Sequence, residues 1–385
     1  MKEEKRNSNI ELLRIISMIL IIAYHARNVS FVASPATFLN GGGEAEGVFN
    51  IYTIIIGSWG ILGVDIFIII SSYFLISRKF DIRRVLNILV QTSMYIIFFY
   101  NVCFLYDMYK YKDGIIVLKK LISGTIEALS QPLFCECYWF ITAYVLFLLV
   151  IPALNKIIKI LNQGSLRYLI IVSLIGAVLS YKSQNIIADT YFFSVIYLCV
   201  AYIKTYGSVT IDRLSNYFKI ISLIALVILS KIIMSVQTDS FAIKFIQGIL
   251  AFTIGNIGRY SVMILFIALL VFYKTIKMRS IYNRVINTIS SLTLGVYLFH
   301  ENALLDCPNV LRSIFKILVN YNFFGENIFL FPFKYIFIVI IVFLCGCIIE
   351  YFRKRILHKP IMEFIEKTKR KQIDMFNEKV ENIFK

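Results

Sequence analysis

Charged residues are scarce in this 385-residue sequence: Asp, Glu, Lys and Arg make up only 16% of it, whereas 59% is hydrophobic. A typical soluble domain is about 45–50% apolar and about 25% charged, so the composition excludes a soluble globular protein. It also excludes intrinsic disorder, because disordered chains are poor in apolar residues. The composition therefore predicts an all-α polytopic membrane protein.

Cysteine and histidine are also few, with seven and three residues respectively. Cys135 and Cys137 are separated by one residue, which is too close for an easy unstrained disulfide bridge. The Cys and His residues show no zinc-site spacing, so we expect no metal. We expect no cleavable signal peptide either, because the first apolar run contains Arg14 and lacks a small-residue cleavage site after it.

Apolar segments of transmembrane length recur along the chain. A bilayer core about 30 Å thick needs roughly 17–25 apolar residues per helix. The candidate segments are 10–28, 50–76, 85–106, 138–160, 166–182, 190–205, 218–236, 256–274, 287–305 and 328–351. The apolar stretch 241–255 is either an interfacial piece or the start of segment eight. The sequence thus predicts about ten transmembrane helices within residues 1–352 and a separate tail at 353–385.

The net charge of +17 would suggest a nucleic-acid partner in a soluble protein. If the N-terminus is cytoplasmic, 27 of the 40 Lys and Arg residues fall inside and 11 fall outside. The positive-inside rule therefore favours both termini in the cytoplasm and argues against nucleic acid. In the basic tail, apolar residues recur at helical spacing. This pattern indicates either an amphipathic helix on the anionic membrane lipid of the inner leaflet or a merely solvated tail.

Ionisable residues inside apolar segments are costly and are functional candidates by default. Arg14 and His25 are three helical turns apart in segment one, so they share a face at a separation of about 16 Å. Glu11 is one turn before Arg14 and can pair with it. The structural alternative is an interfacial Glu11–Arg14 pair with a histidine at the end of the helix.

Three other segments carry polar or aromatic candidates: Asp65, Ser72 and Tyr73 in segment two, Trp139 and Tyr144 in segment four, and His300 and Glu301 in segment nine. Their structural alternatives are a protonated buried carboxyl, an interfacial aromatic belt and a polar helix end. In the predicted topology His25 and His300 both fall in the outer half, and Arg14 falls near the inner side. This arrangement predicts a polar tunnel with a cationic inner mouth.

Four motifs follow one another along the chain: Arg14 and His25, then Gly63-Val-Asp-Ile-Phe-Ile-Ile-Ile-Ser-Ser-Tyr73, then Trp139-Phe140 with Tyr144 and Pro152-Ala-Leu-Asn155, then Gly295-Val-Tyr-Leu-Phe-His300. Over nearly its whole length the chain therefore resembles the membrane-bound acyltransferase-3 family, the integral-membrane O-acyltransferases of bacterial surface sugars. Ser72 stands where that family usually has glycine. The family's paired arginines after helix two are three residues apart and followed by proline, and Arg83 and Arg84 depart from this pattern.

The resemblance implies a multi-pass enzyme of the plasma membrane. It would transfer an acyl group, usually acetyl, from cytoplasmic acetyl-CoA to a hydroxyl of a cell-envelope polysaccharide or its lipid-linked precursor. His25 would act as the general base, or less readily as a nucleophile that is itself acylated. The cations Arg14, Arg83 and Arg84 would hold the phosphates of the donor. The acceptor would be bound by Asp65, Ser72, Tyr73, Trp139, Tyr144, His300 and Glu301.

Two other classes compete with the enzyme. A transporter or flippase for a lipid-linked glycan would explain ten helices and a polar tunnel, but it would ordinarily show inverted repeats or broken helix pairs, which the sequence lacks. A scaffold for polysaccharide assembly would leave the intramembrane His and Asp residues without a purpose. The acceptor sugar, the nature of the acyl group and the oligomeric state stay open.

Overall fold

The computed structural model describes residues 6–32, 55, 59–111, 119, 122, 138–179, 185–207, 209–235, 240–250, 260–301 and 330–384. Within these ranges the chain is helical and has no strand, which confirms the all-α class. The helices are α1 Ser8–Val32, α2 Gly60–Leu75, α3 Arg83–Tyr111, α4 Trp139–Ile160, α5 Gln163–Leu179, α6 Ile186–Tyr206, α7 Val209–Leu214, α8 Tyr217–Ser235, α9 Phe241–Leu250, α10 Val262–Lys277, α11 Arg284–Ser290, α12 Thr293–His300, α13 Phe331–Arg353 and α14 Lys359–Ile383, with a π-helix at Lys354–His358 between the last two.

Several of these helices have the length and composition of membrane spans. Among the described residues, five stretches are long and apolar enough to cross a bilayer: Ser8–Ala26, Arg83–Val102, Trp139–Ile160, Ile186–Tyr206 and Pro332–Ile383. Three shorter apolar helices accompany them: Gly60–Leu75, Gln163–Leu179 and Tyr217–Ser230. The protein is therefore an all-α membrane protein. Each of the ten predicted segments overlaps a described helix, and the stretch 241–255 overlaps the separate helix α9.

Helix α2 lies at the centre of the bundle and packs against α1, α6 and α10. Its approach to α1 depends on two glycines. A Cβ added to Gly60 would lie 2.5 Å from the Tyr24 side chain, and one added to Gly63 would lie 2.5 Å from the Ser17 carbonyl oxygen. Small residues at these two positions let the helix backbones come close, as membrane helix pairs commonly require.

The predicted single helix over 287–305 is wrong in one respect, because the described part consists of two short helices, α11 and α12, with a break at Ser291 and Leu292. The Ser291 hydroxyl donates to the Thr288 carbonyl at 2.7 Å, and the Thr293 hydroxyl donates to the Ser290 carbonyl at 2.8 Å. At the break the backbone N–H groups of Ser291 and Leu292 donate to carbonyls three residues back instead of four, and the Ser291 hydroxyl shares the Thr288 carbonyl with the backbone.

A polar anchor holds the start of α1 against the segment that precedes α11. The Asn283 N–H donates to the Ser8 hydroxyl at 2.7 Å, and the Ser8 hydroxyl donates to Asn287 Oδ1 at 2.9 Å. The Asn9 amide donates to the Arg279 carbonyl at 2.9 Å. These contacts fix the first turn of α1 beside α11, and both α11 and α12 pack along α1.

A buried ion pair joins α12, α13 and α3. Glu350 is 1% exposed and receives two hydrogen bonds of 2.7 Å from the Arg353 guanidinium. The Tyr95 hydroxyl and the Gln91 amide donate to the same carboxylate at 2.9 and 3.1 Å. A Cβ on Gly295 would collide with the Glu350 side chain, so glycine is what lets α12 lie against this network.

Candidate active site

The end of α12 brings His300 and Glu301 against His25 of α1. His25 Nδ1 lies 3.0 Å from His300 Nε2 and 2.7 Å from Glu301 Oε2. His300 is fully buried, whereas 18% of the His25 side chain and 25% of the Glu301 side chain are exposed. We call these three residues the histidine cluster. The sequence placed both histidines in the outer half, but it did not predict that they touch.

The hydrogen-bond partners determine where the protons sit in the histidine cluster. His300 Nδ1 lies 2.7 Å from the Val296 carbonyl oxygen, which only accepts, so Nδ1 carries the proton. The other nitrogen of a neutral His300, Nε2, is then an acceptor. His25 Nδ1 therefore donates to His300 and Glu301, and among the described residues its own Nε2 has no hydrogen-bond partner and carries the lone pair. This is the tautomer that a general base requires.

The same three residues also carry metal-ligating atoms, all within 4.8 Å of one another. Zinc holds nitrogen and oxygen ligands at about 2.0–2.2 Å, which sets tetrahedral ligand atoms roughly 3.3 Å apart. The separations of 2.7 and 3.0 Å in the histidine cluster are instead hydrogen-bond lengths. The geometry fits a proton-handling network better than a ligand shell.

An aromatic wall, formed by Tyr138, Trp139, Phe140 and Tyr297, borders the histidine cluster on the α4 side. The Tyr138 hydroxyl donates to the Leu298 carbonyl at 2.8 Å, which ties the start of α4 to α12. The Tyr297 ring packs edge-on against His300 and against Phe140, with centroid separations of 5.9 and 5.5 Å. Trp139 packs edge-on against Phe140. Trp139 was a predicted site residue, but Tyr138 and Tyr297 are the residues that contact the Leu298 carbonyl and the His300 ring. Tyr138 directly precedes the third motif and Tyr297 lies within the fourth, and these positions were the available indication.

Arg14 lies three turns before His25 on α1 and is held by two polar partners. Its guanidinium is 2.6 Å from Glu11 and 3.3 Å from the Ser290 hydroxyl, which also donates to Glu11. The ion pair within α1 is therefore present as the spacing suggested. Arg14 is mostly buried, with 19% of its side chain exposed.

Tyr144 connects the arginines to the aromatic wall. Its ring stacks on the Phe140 ring with the centroids 5.8 Å apart, and the Arg14 and Arg84 cations act electrostatically on its hydroxyl. The Arg84 guanidinium also donates to the Lys79 carbonyl at 3.4 Å. A polar and aromatic route thus runs from Arg14 and Arg84, through Tyr144 and Phe140, to Tyr297 and His300.

The remaining predicted residues lie elsewhere. Asp65 and Ser72 are 1% and 0% exposed, and Asp65 Oδ2 and the Ser72 hydroxyl have no hydrogen-bond partner among the described residues. They are two helical turns apart, on the same face of α2. Tyr73 lines a separate cavity of about 260 Å³ with Lys204 and Lys277, and the Lys204 ammonium lies over its ring. None of the three contacts the histidine cluster.

Arg83 is engaged by the C-terminal tail. Its guanidinium lies 2.9 Å from Glu366 and 2.7 Å from Asp374 of α14, and 3.3 Å from Asp81. The Asn377 amide donates to Asp81 at 3.1 Å. The sequence assigned Arg83 to the donor phosphates; in the structure its guanidinium is held by carboxylates of α14, and it also lines a cavity of about 640 Å³ beside the π-helix.

A family model described as an acyltransferase domain matches residues 7–351. The match includes the histidine cluster and both arginines of the polar route, and it ends before the π-helix and α14. No curated protein and no solved structure matches the chain.

Proposed function

Because the chain belongs to the membrane acyltransferase-3 family, we propose that it moves an acetyl or similar acyl group from acyl-CoA to a hydroxyl of a cell-envelope polysaccharide or its lipid-linked precursor. We propose further that it does so in the plasma membrane, with the donor on the cytoplasmic side. The observation that carries the proposal is the histidine cluster, in which Glu301 and His300 accept from His25 Nδ1, so that its Nε2 holds the lone pair of the neutral ring.

His25 acts as the general base in this proposal. Its Nε2 removes the proton from the acceptor hydroxyl as that oxygen attacks the thioester carbonyl carbon. A carbon–oxygen bond forms, the carbon–sulfur bond breaks, and the departing thiolate takes the proton back from the imidazolium. The Glu301 carboxylate stabilises the imidazolium and keeps the ring oriented, as the acid of a catalytic triad does. His300 supports the same orientation.

This assignment changes the roles of two predicted residues. His300 and Glu301 become positioning residues for His25, whereas the sequence suggested that they bind the acceptor. Trp139, which is partly exposed at the start of α4, is left to receive the sugar, because aromatic faces suit sugar rings, whereas Tyr138 is fully buried and its hydroxyl donates to the Leu298 carbonyl. The separation of about 16 Å between Arg14 and His25 along α1 suits an extended donor whose phosphates stay near the arginine.

A transporter for a lipid-linked glycan is the second candidate, because one helix is broken at Ser291 and Leu292 and because Asp65 is buried without a partner among the described residues. Broken helices and intramembrane carboxylates are common in transporters. Transport would leave the histidine cluster without a chemical purpose.

The experiment uses purified protein in lipid vesicles, acetyl-CoA labelled in the acetyl group, and envelope glycan as the acceptor. We expect label on the glycan, and we expect His25→Ala to lower the rate by about 10²- to 10⁴-fold, the range typical of a general base. Tyr168→Ala, at a position 72% exposed on α5, is the matched control and keeps its activity. Movement of unlabelled glycan across the vesicle membrane without acetyl transfer would favour the transporter.

A further inference from the structure

A cavity of about 640 Å³ opens where α13 ends. Its wall comes from α3, from the break between α11 and α12, from the π-helix and from α14. Its polar lining includes Asn87, Ser291, Lys354, Arg355, His358 and Lys359, together with Arg83, Glu363 and Glu366. The volume lies within the roughly 300–1,000 Å³ of small-molecule sites. We call it the basic cavity.

The positive charge of the basic cavity is incompletely compensated. Glu363 and Glu366 also line it, but Glu366 is bound by Arg83, and Glu363 lies 3.9 Å from Lys359. Lys354 and Arg355 have no carboxylate within 4 Å in the part of the chain that the structure describes. Their polar partners are the Ser291 and Tyr351 hydroxyls, each at 3.3 Å. Two cations are therefore available to an anionic ligand.

Neighbouring cations crowd this region. Burial lowers the pKa of the Lys354 ammonium, Glu350 opposes the shift, and Arg6 and Arg353 add to it. Burial, Arg353 and Lys354 together lower the pKa of His358 to about 4, and the His358 ring is 3.0 Å from Asn87 Oδ1. Like charges held together in this way disfavour one another, and a bound anion relieves that repulsion.

The basic cavity adjoins the inner end of the polar route. Ser291 lines it, and the preceding residue, Ser290, contacts Arg14 at 3.3 Å. Arg14 in turn begins the face of α1 that leads to His25, about 16 Å further along the helix. In the mode of binding that follows, a ligand has its anionic end in the cavity and extends an arm along α1 towards the histidine cluster.

We propose that the basic cavity binds the phosphates of a nucleotide-bearing acyl thioester, with Lys354 and Arg355 as the charged contacts. The inference rests on the proposed function and deepens it. It gives a specificity role to residues 354–359, which lie beyond the residues that the family model matches. The arginines predicted from the sequence then contribute less than this later segment, since Arg83 is engaged by α14.

The test compares two donors on the purified full-length protein: acetyl-CoA and the acetyl thioester of pantetheine, which lacks the nucleotide. The variant is the double substitution Lys354→Ala and Arg355→Ala. Loss of two charge-assisted contacts should raise the KM for acetyl-CoA by about 10- to 100-fold with little change in kcat. The KM for acetyl-pantetheine should stay unchanged. Lys354→Arg with Arg355→Lys keeps the charge and should restore most of the affinity.

The matched control is Lys367→Ala with Lys369→Ala, which removes two exposed cations of α14 that do not line the cavity. It should leave both KM values unchanged. An equal rise of KM for both donors in the cavity variant, or no rise for either, would overturn the inference.

Equilibrium binding of CoA itself separates this inference from the proposed function. If the wild type transfers acetyl from neither donor but binds CoA, and the cavity variant binds it at least about 10-fold more weakly, the cavity assignment stands and the proposed reaction fails. If wild type and variant bind CoA equally, the cavity assignment is wrong whatever the activity.

Discussion

The histidine cluster and the basic cavity differ in how their charges are held. In the histidine cluster three groups from two packed helices touch at 2.7 to 3.0 Å, and the acceptors fix the tautomer of His25. In the basic cavity Lys354 and Arg355 come from one irregular turn after α13, and among the described residues their polar side-chain partners are hydroxyls at 3.3 Å. The histidine cluster therefore has its side chains fixed by short hydrogen bonds, whereas the basic cavity offers positive charge on side chains with long, weak contacts.

This difference matches two chemical tasks. Proton transfer requires a base and its orienting partner within hydrogen-bond distance, because rates fall when catalytic groups are displaced by about 1 Å. Holding a flexible polyanion requires charge more than fixed positions. We therefore expect substitutions in the histidine cluster to change kcat and substitutions in the basic cavity to change the KM for the donor.

After the loss of His25 itself, the largest effect is expected for Glu301→Gln, which keeps an acceptor for His25 Nδ1 but removes the charge that stabilises the imidazolium. The kcat should fall by about 10²-fold, within the range of general-base contributions, with the KM for acetyl-CoA unchanged. Steady-state kinetics at saturating acceptor measure both constants. A rise in the KM for acetyl-CoA with normal kcat would contradict the assignment of the chemical step to the histidine cluster.

A second prediction concerns the packing that presents His300. Gly295→Ala places a methyl group against Glu350, whose carboxylate is held by Arg353, Tyr95 and Gln91 and has little freedom to move. Overpacking of this kind costs about 1–3 kcal/mol. We expect a lower midpoint of thermal unfolding in detergent. We also expect a several-fold lower kcat, because α12 carries both Gly295 and His300. The matched substitution Gly164→Ala, at a surface position with only Asn162 nearby, should change neither.

A third prediction separates charge from folding at Arg14. Arg14→Ala removes a cation and also leaves Glu11 buried without its partner, which is costly. Adding Glu11→Gln to Arg14→Ala should recover most of the stability, while the KM for acetyl-CoA stays raised by about 5- to 10-fold. Thermal unfolding and donor KM are measured on both variants. If the double variant regains normal KM, Arg14 is only a structural partner.

The smallest effect is expected for the docking of α14. The hydrogen bond from Arg83 is the main cause that lowers the pKa of Glu366 below its ordinary value. The stabilisation is therefore fully present above the ordinary pKa of a glutamate and is lost as the pH falls through the lowered value. We expect the protection factors of the α14 amides, taken against the intrinsic exchange rate at each pH, to fall at low pH, and Glu366→Gln to show low protection at neutral pH too. Protection factors that do not change with pH would contradict this contact.

Much of the fold follows from the sequence, because long apolar runs determine where helices lie, and the apolar segments overlap the described helices throughout. Helical spacing also indicated the Glu11–Arg14 pair. Spacing gives the depth of a residue but not its neighbours, so the contact of His25 with Glu301 was not foreseen. The break at Ser291 was not predicted, because the apolar residues on both sides of it continue the pattern of a single helix. The local signal of the Ser and Thr hydroxyls is weaker than that pattern. The engagement of Arg83 by Glu366 joins residues 283 positions apart, which no local pattern reveals.

The role of the histidine cluster is tested most directly by measuring donor binding and acetyl transfer on the same preparations of wild type and His25→Ala. We expect His25→Ala to bind acetyl-CoA with unchanged affinity, because the proposed site of the donor phosphates is the basic cavity, at the other end of the polar route from His25. We also expect the variant to transfer acetyl to glycan at least about 10²-fold more slowly than the wild type. Normal transfer by His25→Ala, or a loss of transfer fully explained by lost donor binding, would contradict the central claim that the histidine cluster performs the chemistry.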